Sequence, residues 1–235
     1  MTRLLVDAGN SRIKWTVADG EMRAHPYDDD AHASVDALLA AAGDVRSAAV
    51  VDVTGAIADA LASRIAEVRV LRAGAEACGV RSGYTDPTLL GADRWAALIG
   101  AFVHGAGACC IVDAGTALTC DLLAADGHHL GGWIAPGSAL ARAALASGTR
   151  GVRPLEPGRH GTKPARNTAD AVAGGVALAA LGFVERAYRI GARELGAEPA
   201  LLVTGGDAEL LAAAFPAAQR IDDLVLRGLA AWADA

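Results

Sequence analysis

Residues 110–121 read Cys-Ile-Val-Asp-Ala-Gly-Thr-Ala-Leu-Thr-Cys-Asp: an apolar run, an Asp-x-Gly-Thr turn, and then an alternating stretch. This pattern predicts two short strands joined by a tight turn. Residues 5–14 repeat it as Leu-Val-Asp-Ala-Gly-Asn-Ser-Arg-Ile-Lys. Packing alone does not explain why both strands place an aspartate at the start of a turn that contains glycine. We interpret the two turns as a paired phosphate clamp that the rest of the chain supports.

The first turn carries the groups that a phosphate site needs. Gly9 permits a backbone geometry in which successive N–H groups face an anion, and Asn10 and Ser11 add side-chain donors. Lys14 supplies a cation for phosphate oxygens. Asp7 would repel phosphate unless a divalent cation lay between them, so it implies Mg²⁺. The alternative is an ordinary hairpin with an Asp-Gly turn.

The segments around the two turns predict the same topology twice. Each turn opens a three-stranded meander, and strands alternate with helices after the first meander. The predicted strands of the first meander cover residues 4–6, 13–17 and 22–27. In the second meander a strand leads to a turn at residues 113–116, a strand then runs through Leu123, and a third strand covers residues 129–134. We therefore predict an α/β protein with two ribonuclease-H-like domains of mixed sheet flanked by helices and a nucleotide cleft between them. The predicted domains are residues 1–105 and 106–235.

Composition limits the class of partner. The chain has 235 residues, a net charge of −6 and 53% hydrophobic residues, which disfavours a nucleic-acid-binding protein. Basic side chains cluster locally in one Gly- and Pro-rich region, where a solvated loop is the alternative to an anion site. These are Arg142, Arg150, Arg153, Arg159, Lys163 and Arg166.

Several patterns indicate a cytoplasmic protein without a membrane span. The four cysteines lack zinc-site spacing and are predicted to be buried small hydrophobes in a reducing compartment. The first three residues lead directly into a strand, which predicts no signal peptide. The longest uncharged run, residues 171–184, is shorter than the about 20 residues of a membrane span. His128 and His129 have no partner at metal-ligand spacing and are predicted to face solvent in a turn.

Two helix starts carry candidate substrate groups. Asp93 is either a helix N-cap or a carboxylate that stands beside Arg94 at a cleft edge. In the second case Asp93 would receive a hydroxyl proton and Arg94 would hold an anionic or polar substrate. Tyr84 is either a half-buried aromatic residue or a pocket wall. Thr168 is either an N-cap or a hydroxyl that reaches a substrate.

Glycines in residues 131–137 suggest close backbone approach, and a strand that ends in Thr204-Gly205-Gly206 would place bare backbone against a flat ligand such as adenosine. The chain contains neither a Walker A motif nor Gly-x-Gly-x-x-Gly, which disfavours a P-loop kinase and a Rossmann dehydrogenase.

Together these motifs resemble the type III pantothenate kinase family of the acetate and sugar kinase, heat-shock-70 and actin superfamily. Residues 7–14 are similar to that family's Asp-x-Gly-Asn-Thr-x-x-Lys, with Ser11 in place of the usual threonine. The remaining motifs follow in family order over essentially the whole chain. They are Gly-x-Asp-Arg at 91–94, Asp-x-Gly-Thr-Ala-x-Thr-x-Asp at 113–121, Gly-Gly-x-Ile-x-Pro-Gly at 131–137, Asn-Thr-x-x-Ala at 167–171 and Thr-Gly-Gly-Asp at 204–207.

The resemblance implies ATP-dependent phosphorylation of pantothenate to 4′-phosphopantothenate, the first step toward coenzyme A, by a homodimer. It implies that Asp93 is the catalytic base and that Asp113 binds a monovalent cation, K⁺ or NH₄⁺. Thr168 would complete the pantothenate pocket across the dimer interface. The implied pantothenate contacts are Tyr84, Gly91, Ala92, Asp93, Arg94 and Thr168. The implied ATP contacts are Asp7, Ala8, Gly9, Asn10, Ser11, Arg12, Ile13, Lys14 and Thr116, with Mg²⁺ at Asp7.

Other functions remain open at this point, because a fold does not fix a substrate. A kinase of the same fold could act on another small hydroxylated substrate. A nucleotide-binding regulatory or accessory protein could keep the clamp and lose transfer. An actin-like filament protein fits less well, because the chain lacks the length for the extra subdomain insertions.

Overall fold

The computed structural model describes residues 3–17, 20–27, 30–150 and 163–235. The chain divides into two compact units. The first consists of Met1–Gly107, Leu123–Gly131 and Asp223–Ala235, and the second of Ala108–Leu122 and Gly132–Asp222. The predicted division after residue 105 lies close to the break at Gly107. It does not include the two later segments that return to the first unit.

The sheet of the first unit begins with the predicted meander. Strands β1, β2 and β3 are followed by β4 and β5, and the sheet order is β3-β2-β1-β4-β5. The first three strands pair antiparallel, whereas β4 pairs parallel to β1 and to β5. This mixed order is that of the predicted ribonuclease-H-like half. The strands are β1 (Arg3–Ala8), β2 (Arg12–Val17), β3 (Arg23–Pro26), β4 (Ser47–Asp52) and β5 (Glu67–Val70).

Two helices, α1 (Ala31–Ala42) and α2 (Ala56–Ala62), pack on one face of this sheet. Asp30 caps α1 by accepting hydrogen bonds from the first-turn amides of His32 (2.9 Å) and Ala33 (3.1 Å). Leu4, Val6 and Ala8 point to the same face of β1, and this row of side chains enters the core. The buried cluster includes Leu4, Val6, Ile13, Trp15, Val35, Leu38, Ile57 and Leu61.

Three short elements precede the next helix. Strands β6 (Glu76–Ala77) and β7 (Val80–Arg81) form a two-stranded ribbon, and a 3₁₀ turn covers Pro87–Leu89. Helix α3 then runs over Ala92–Val103 and is buried along most of its length. These elements place residues 84–94, which include the predicted substrate groups, at the start of a buried helix.

The second unit repeats the sheet topology of the first. Its strand order is β10-β9-β8-β11-β12, with β11 parallel to both β8 and β12. The strands are β8 (Cys109–Ala114), β9 (Ala117–Leu123), β10 (His129–Pro136), β11 (Ala200–Thr204) and β12 (Gln219–Arg220), and the helices are α4 (Ser138–Gly148), α5 (Thr168–Glu194) and α6 (Ala208–Ala214). The shared order confirms the predicted fold class.

The last helix, α7 (Leu224–Asp234), belongs to the first unit and packs against α3. The two helices cross at a pair of glycines. A Cβ atom on Gly228 would lie 1.8 Å from the carbonyl oxygen of Ala96, and one on Gly100 would lie 2.2 Å from that of Leu224. The crossing therefore requires glycine on both helices.

Helix α5 meets a length and composition criterion for a membrane span among the residues that the structure describes, with 27 residues and a mean hydropathy of 1.4 in its most apolar window. This is weak support for a membrane span, because core helices of soluble proteins meet the same criterion.

The predicted burial of the cysteines holds for three of the four. Cys109, Cys110 and Cys120 are fully buried, whereas Cys78 is partly exposed. Cys109 and Cys110 are neighbours on β8 and point to opposite faces of the sheet, so both faces are covered there. The Cys110 and Cys120 Sγ atoms lie 3.1 Å apart, and no disulfide joins them.

Candidate active site

Asp93 lies inside the first turn of α3. The N-cap of this helix is Gly91, and Asp93 is the second helical residue. Its Oδ1 atom accepts a hydrogen bond from the backbone N–H of Arg94 at 2.8 Å. The alternative that Asp93 is itself the N-cap is therefore wrong. The carboxylate nevertheless uses one of the free amides at the helix start, which holds it in one direction.

Gly91 explains the first position of the Gly-x-Asp-Arg motif. A Cβ atom at this residue would lie 2.6 Å from Asp93 Oδ1. That separation is shorter than real Cβ contacts, so any larger residue at 91 must displace the carboxylate. Residue 91 must be glycine because no space is left for a side chain. Its backbone conformation does not require glycine, since any residue can adopt a φ of −58°.

Arg94 and Tyr84 contact each other directly. Arg94 is buried, and its Nη1 atom donates a hydrogen bond to the Tyr84 hydroxyl at 2.7 Å. The guanidinium carbon also lies 5.5 Å from the centroid of the Tyr84 ring, within the range of a cation–π contact. The structure thus brings together two predicted substrate contacts that are ten positions apart in the sequence.

His129 continues this stack and corrects a prediction. Its ring lies 5.9 Å from the Tyr84 ring at an interplanar angle of 19°, and the residue is fully buried. The prediction that His129 faces solvent is wrong, whereas His128 is exposed as predicted. Successive residues on a strand point to opposite faces, so two adjacent histidines at the start of β10 could have indicated that one points inward.

The first hairpin places Asp7 and Lys14 opposite each other. They are cross-strand partners in the β1–β2 register, so their side chains share one face. Asp7 is buried and Lys14 is partly exposed. The turn is closed by a hydrogen bond from Gly9 N to Arg12 O at 3.1 Å. A carboxylate and an amine therefore lie side by side at the end of β1.

The remaining residues of this hairpin are either exposed to solvent or buried. Asn10, Ser11 and Arg12 are exposed, so their polar groups are accessible. Ala8 and Ile13 are buried in the core. Gly9 does not have a positive φ, and a Cβ there would reach only Arg12 O at 3.4 Å. That successive N–H groups of this turn face an anion therefore stays a prediction.

The second hairpin has the same closure, with a hydrogen bond from Gly115 N to Ala117 O at 3.0 Å. Asp113 is the penultimate residue of β8 and is partly exposed, and Thr204 of β11 is its parallel partner. Thr116 is also partly exposed, and its carbonyl accepts a hydrogen bond from Gly137 N at 3.0 Å. Asp113 therefore lies at the carboxyl end of a parallel pair, where ligands commonly bind in open α/β sheets.

The glycine segments 131–137 and 204–207 approach this second hairpin. Gly205 has a φ of +96°, and a Cβ there would lie 2.4 Å from Asp113 Oδ1. A Cβ at Gly137 would lie 2.2 Å from Gly115 O. The predicted close approach is thus present at Gly137 and Gly205, whereas a Cβ at Gly131 would meet nothing within 4 Å. Both Gly137 and Gly205 approach the Asp113–Thr116 turn. For Gly205 the predicted neighbour was instead a flat ligand.

A shallow apolar groove lies beside this turn, lined by residues that include Gly115, Gly137, Ser138 and Asp207.

Thr168 is the first helical residue of α5 and is exposed. The N-cap is Asn167, whose side-chain oxygen accepts from Asp170 N at 2.9 Å, so the alternative that Thr168 is the cap is wrong. Of the basic cluster, Arg150, Lys163 and Arg166 are exposed and Arg142 is partly exposed. Arg153 and Arg159 lie outside the described residues.

Carboxylate, imidazole and thiol groups do not form a three-residue metal cluster within residues 3–17, 20–27, 30–150 and 163–235. Asp7 and Asp113 are single carboxylates at the two hairpins. Single carboxylates suit cations that take their remaining ligands from backbone carbonyls, water or substrate phosphates.

A sequence profile of type III pantothenate kinase matches residues 3–190. The chain belongs to the type III pantothenate kinase family. A type III pantothenate kinase from Aromatoleum aromaticum is 44% identical over 243 residues, covering 97% of this chain and 96% of the relative. One from Pseudomonas paraeruginosa is 40% identical over 242 residues, covering 97% of each.

Solved structures share the fold of this type III pantothenate kinase family member at much lower identity. A Campylobacter jejuni protein assigned to the Baf family of transcriptional activators has a TM-score of 0.66 and 23% identity, covering 97% of this chain and 95% of that protein. Ta0583, an archaeal actin homolog, has a TM-score of 0.58 and 12% identity over 100% of both chains. These similarities confirm the predicted superfamily fold.

Proposed function

We propose that this protein transfers the γ-phosphoryl group of ATP to the primary hydroxyl of pantothenate and forms 4′-phosphopantothenate, the first step of coenzyme A biosynthesis. The observation that carries the proposal is the Gly91–Asp93–Arg94–Tyr84 arrangement in a chain of the type III pantothenate kinase family. We place the reaction in the cytoplasm.

Asp93 is the catalytic residue in this proposal. Phosphoryl transfer passes through a loose transition state, so a protein contributes mainly by positioning groups and neutralising charge. The hydrogen bond from Arg94 N–H fixes one oxygen of the Asp93 carboxylate. The carboxylate can then orient the pantothenate hydroxyl toward the γ-phosphate and accept its proton as the bond to phosphorus forms.

Arg94 and Tyr84 bind pantothenate in this proposal. Pantothenate carries a carboxylate and hydroxyl groups, and a guanidinium pairs with carboxylates through charge-assisted hydrogen bonds. The contact between Arg94 and the Tyr84 hydroxyl gives the guanidinium a defined orientation before the substrate arrives. Gly91 and Ala92 contribute backbone at the same helix start.

The two hairpins bind ATP and its cations. The exposed donors of residues 7–14 and the Lys14 amine face the phosphates, and Thr116 contacts ATP. Asp7 would hold Mg²⁺ together with substrate phosphates, which suits a cation that takes few protein ligands. Asp113 would hold K⁺ or NH₄⁺ with neighbouring carbonyl oxygens. A cation beside each carboxylate supplies the charge neutralisation that a bound phosphate group requires.

A homodimer completes the proposal, with Thr168 of one protomer closing the pantothenate pocket of the other. Large apolar side chains are exposed in the second unit, which supports an interface there. They are Trp133 (36% exposed), Ile134 (64%), Leu140 (48%), Leu145 (38%) and Leu178 (50%). The exposed position of Thr168 at the start of α5 is compatible with contact to a second copy.

The test is a phosphorylation assay with purified full-length protein, Mg–ATP and pantothenate, with and without K⁺. Asp93→Asn should lose at least about 100-fold in turnover, within the range for positioned acid–base groups, while ATP binding survives. Asp59→Asn is the matched control, because Asp59 is an exposed aspartate in the first turn of α2.

Near-normal turnover by Asp93→Asn would show that the assigned role is wrong. Turnover with another hydroxylated acceptor in a substrate panel, and none with pantothenate, would indicate a different kinase of this fold. Nucleotide binding without transfer to any acceptor would indicate a regulatory protein.

A further inference from the structure

The tip of the β9–β10 hairpin, residues 123–131, belongs to the first unit and is held tightly there. Arg81 N donates to Gly127 O at 2.9 Å, and the Arg81 guanidinium pairs with the Asp126 carboxylate at 2.8 Å. A Cβ atom on Gly127 would lie 2.1 Å from Gly79 O. These contacts leave no room between the tip and the β6–β7 ribbon.

This docking places His129 under Tyr84. A Cβ atom on Gly83 would lie 1.9 Å from His129 O, so only glycine lets the chain before Tyr84 approach β10 this closely. The imidazole of His129 then stacks on the Tyr84 ring, with centroids 5.9 Å apart. Backbone approach and ring stacking together define where the Tyr84 ring lies.

The position of Tyr84 in turn defines that of Arg94. The Tyr84 hydroxyl accepts the 2.7 Å hydrogen bond from Arg94 Nη1, and the ring lies beside the guanidinium. His129, Tyr84 and Arg94 therefore form a continuous stack from the docked hairpin to the substrate groups. The imidazole contacts Tyr84, and Tyr84 contacts the guanidinium.

We propose that His129 is a positioning residue of the pantothenate site, which acts through Tyr84 to hold the Arg94 guanidinium in its binding orientation. The inference rests on the proposed assignment of Tyr84 and Arg94 to pantothenate. It predicts a selective effect on the acceptor, because the stack passes through the acceptor groups and not through the ATP-binding hairpin of residues 7–14. A histidine that only filled the core would alter stability without this selectivity.

The experiment compares His129→Leu, which fills the space without a ring, with His129→Phe, which restores a ring. An aromatic stacking pair contributes an amount that corresponds to about a two- to twelvefold change in affinity. We expect His129→Leu to raise KM for pantothenate by about this factor, with kcat and KM for ATP changed by less than about twofold. His129→Phe should return KM for pantothenate to near the wild-type value.

The matched control is His128→Leu, because His128 is the exposed neighbour in the same turn. It should leave all three constants unchanged. Thermal unfolding followed by circular dichroism establishes that each variant is folded. If His129→Leu does not fold, His129→Asn, which keeps a planar polar group and lacks the ring, takes its place.

Two results would overturn the inference. One is a folded His129→Leu or His129→Asn protein with wild-type KM for pantothenate. The other is a His129→Phe protein as impaired as the variant without a ring. Arg94→Gln distinguishes failure of the His129 inference from failure of the proposed function. If Arg94→Gln also leaves KM for pantothenate unchanged, the acceptor assignment itself is wrong, whereas a large increase with Arg94→Gln alone refutes only the role of His129.

Discussion

At the scale of single residues, the Asp93 carboxylate depends on the space left by Gly91. The 2.6 Å separation between a Cβ at 91 and Asp93 Oδ1 means that a methyl group and the carboxylate cannot both keep their places. The backbone at Gly91 has ordinary dihedral angles, so alanine can adopt them. An alanine at this position therefore moves the carboxylate and leaves the helix start in place.

We predict that Gly91→Ala lowers kcat by about 100-fold, the size of effect expected when a catalytic group is misplaced by about 1 Å. The unfolding temperature should change little. Steady-state kinetics with pantothenate and a thermal melt measure the two effects. Gly74→Ala is the control, because a Cβ at Gly74 meets nothing within 4 Å. Equal kcat values for the two variants would contradict the prediction.

The sequence predicts which residues form the candidate site, but it does not predict the physical reason for each of them. The motifs identify the Asp93–Arg94 pair and both hairpins, because these patterns are local. Strand alternation indicates that one of His128 and His129 points inward, but it does not give the partner of the buried ring, since that contact arises when the hairpin tip docks on the segment around Gly83. The role of Gly91 also depends on the conformation of the Asp93 side chain, which a motif does not contain.

At the scale of elements, α7 supports the helix that carries Asp93. The 1.8 Å separation between a Cβ at Gly228 and Ala96 O leaves no space for any side chain at the α3–α7 crossing. Arg69 of β5 holds the end of α7 through a 2.8 Å hydrogen bond to Ala233 O and a position 4.6 Å from the Trp232 ring. A change at the crossing should therefore loosen α3.

We predict that Gly228→Ala destabilises the protein by about 1–3 kcal/mol, the usual cost of overpacking. For a chain of this size, each kcal/mol lowers the unfolding temperature by about 2–4 °C. Gly182→Ala in α5 is the control, because a Cβ at Gly182 meets nothing within 4 Å and alanine favours helix. A thermal melt in which Gly228→Ala is as stable as the wild type would refute the tight crossing.

Most strands of the two meanders can be predicted from the periodicity of apolar residues and from turn residues, because a recognisable turn follows each strand. The motifs predict no element after the helix that follows residues 204–207, so β12 and α7 are absent from the sequence-based topology. The reason is physical: an amphipathic helix shows that it has an apolar face but not which sheet covers that face.

At the scale of the whole molecule, the duplicated hairpin is enough to predict two halves of the same topology. It is not enough to predict the division into units, because residues 123–131 and 223–235 join the first unit through tertiary contacts. The composition predicts a mainly aliphatic interior. Burial in this interior limits the reactivity of the thiols in the native protein.

We predict that a thiol reagent modifies only Cys78 in the native protein at neutral pH. Burial raises the pKa of the Cys109 thiol to about 12, so the reactive thiolate is scarce below that pH. Cys110 and Cys120 are also fully buried. Titration with a chromogenic disulfide should find one fast thiol in the native protein and four after unfolding. Cys78→Ser should remove the fast reaction, and two or more fast thiols would contradict the prediction.

The discontinuous first unit has a consequence for biosynthesis. During translation α3 leaves the ribosome long before α7, yet α7 covers its apolar face. The sheet of the first unit can form early, but its helix layer is incomplete until residues 223–235 emerge. Exposed apolar surface on nascent chains attracts chaperones and promotes aggregation. We therefore expect this half of the protein to mature last, although it is synthesised first.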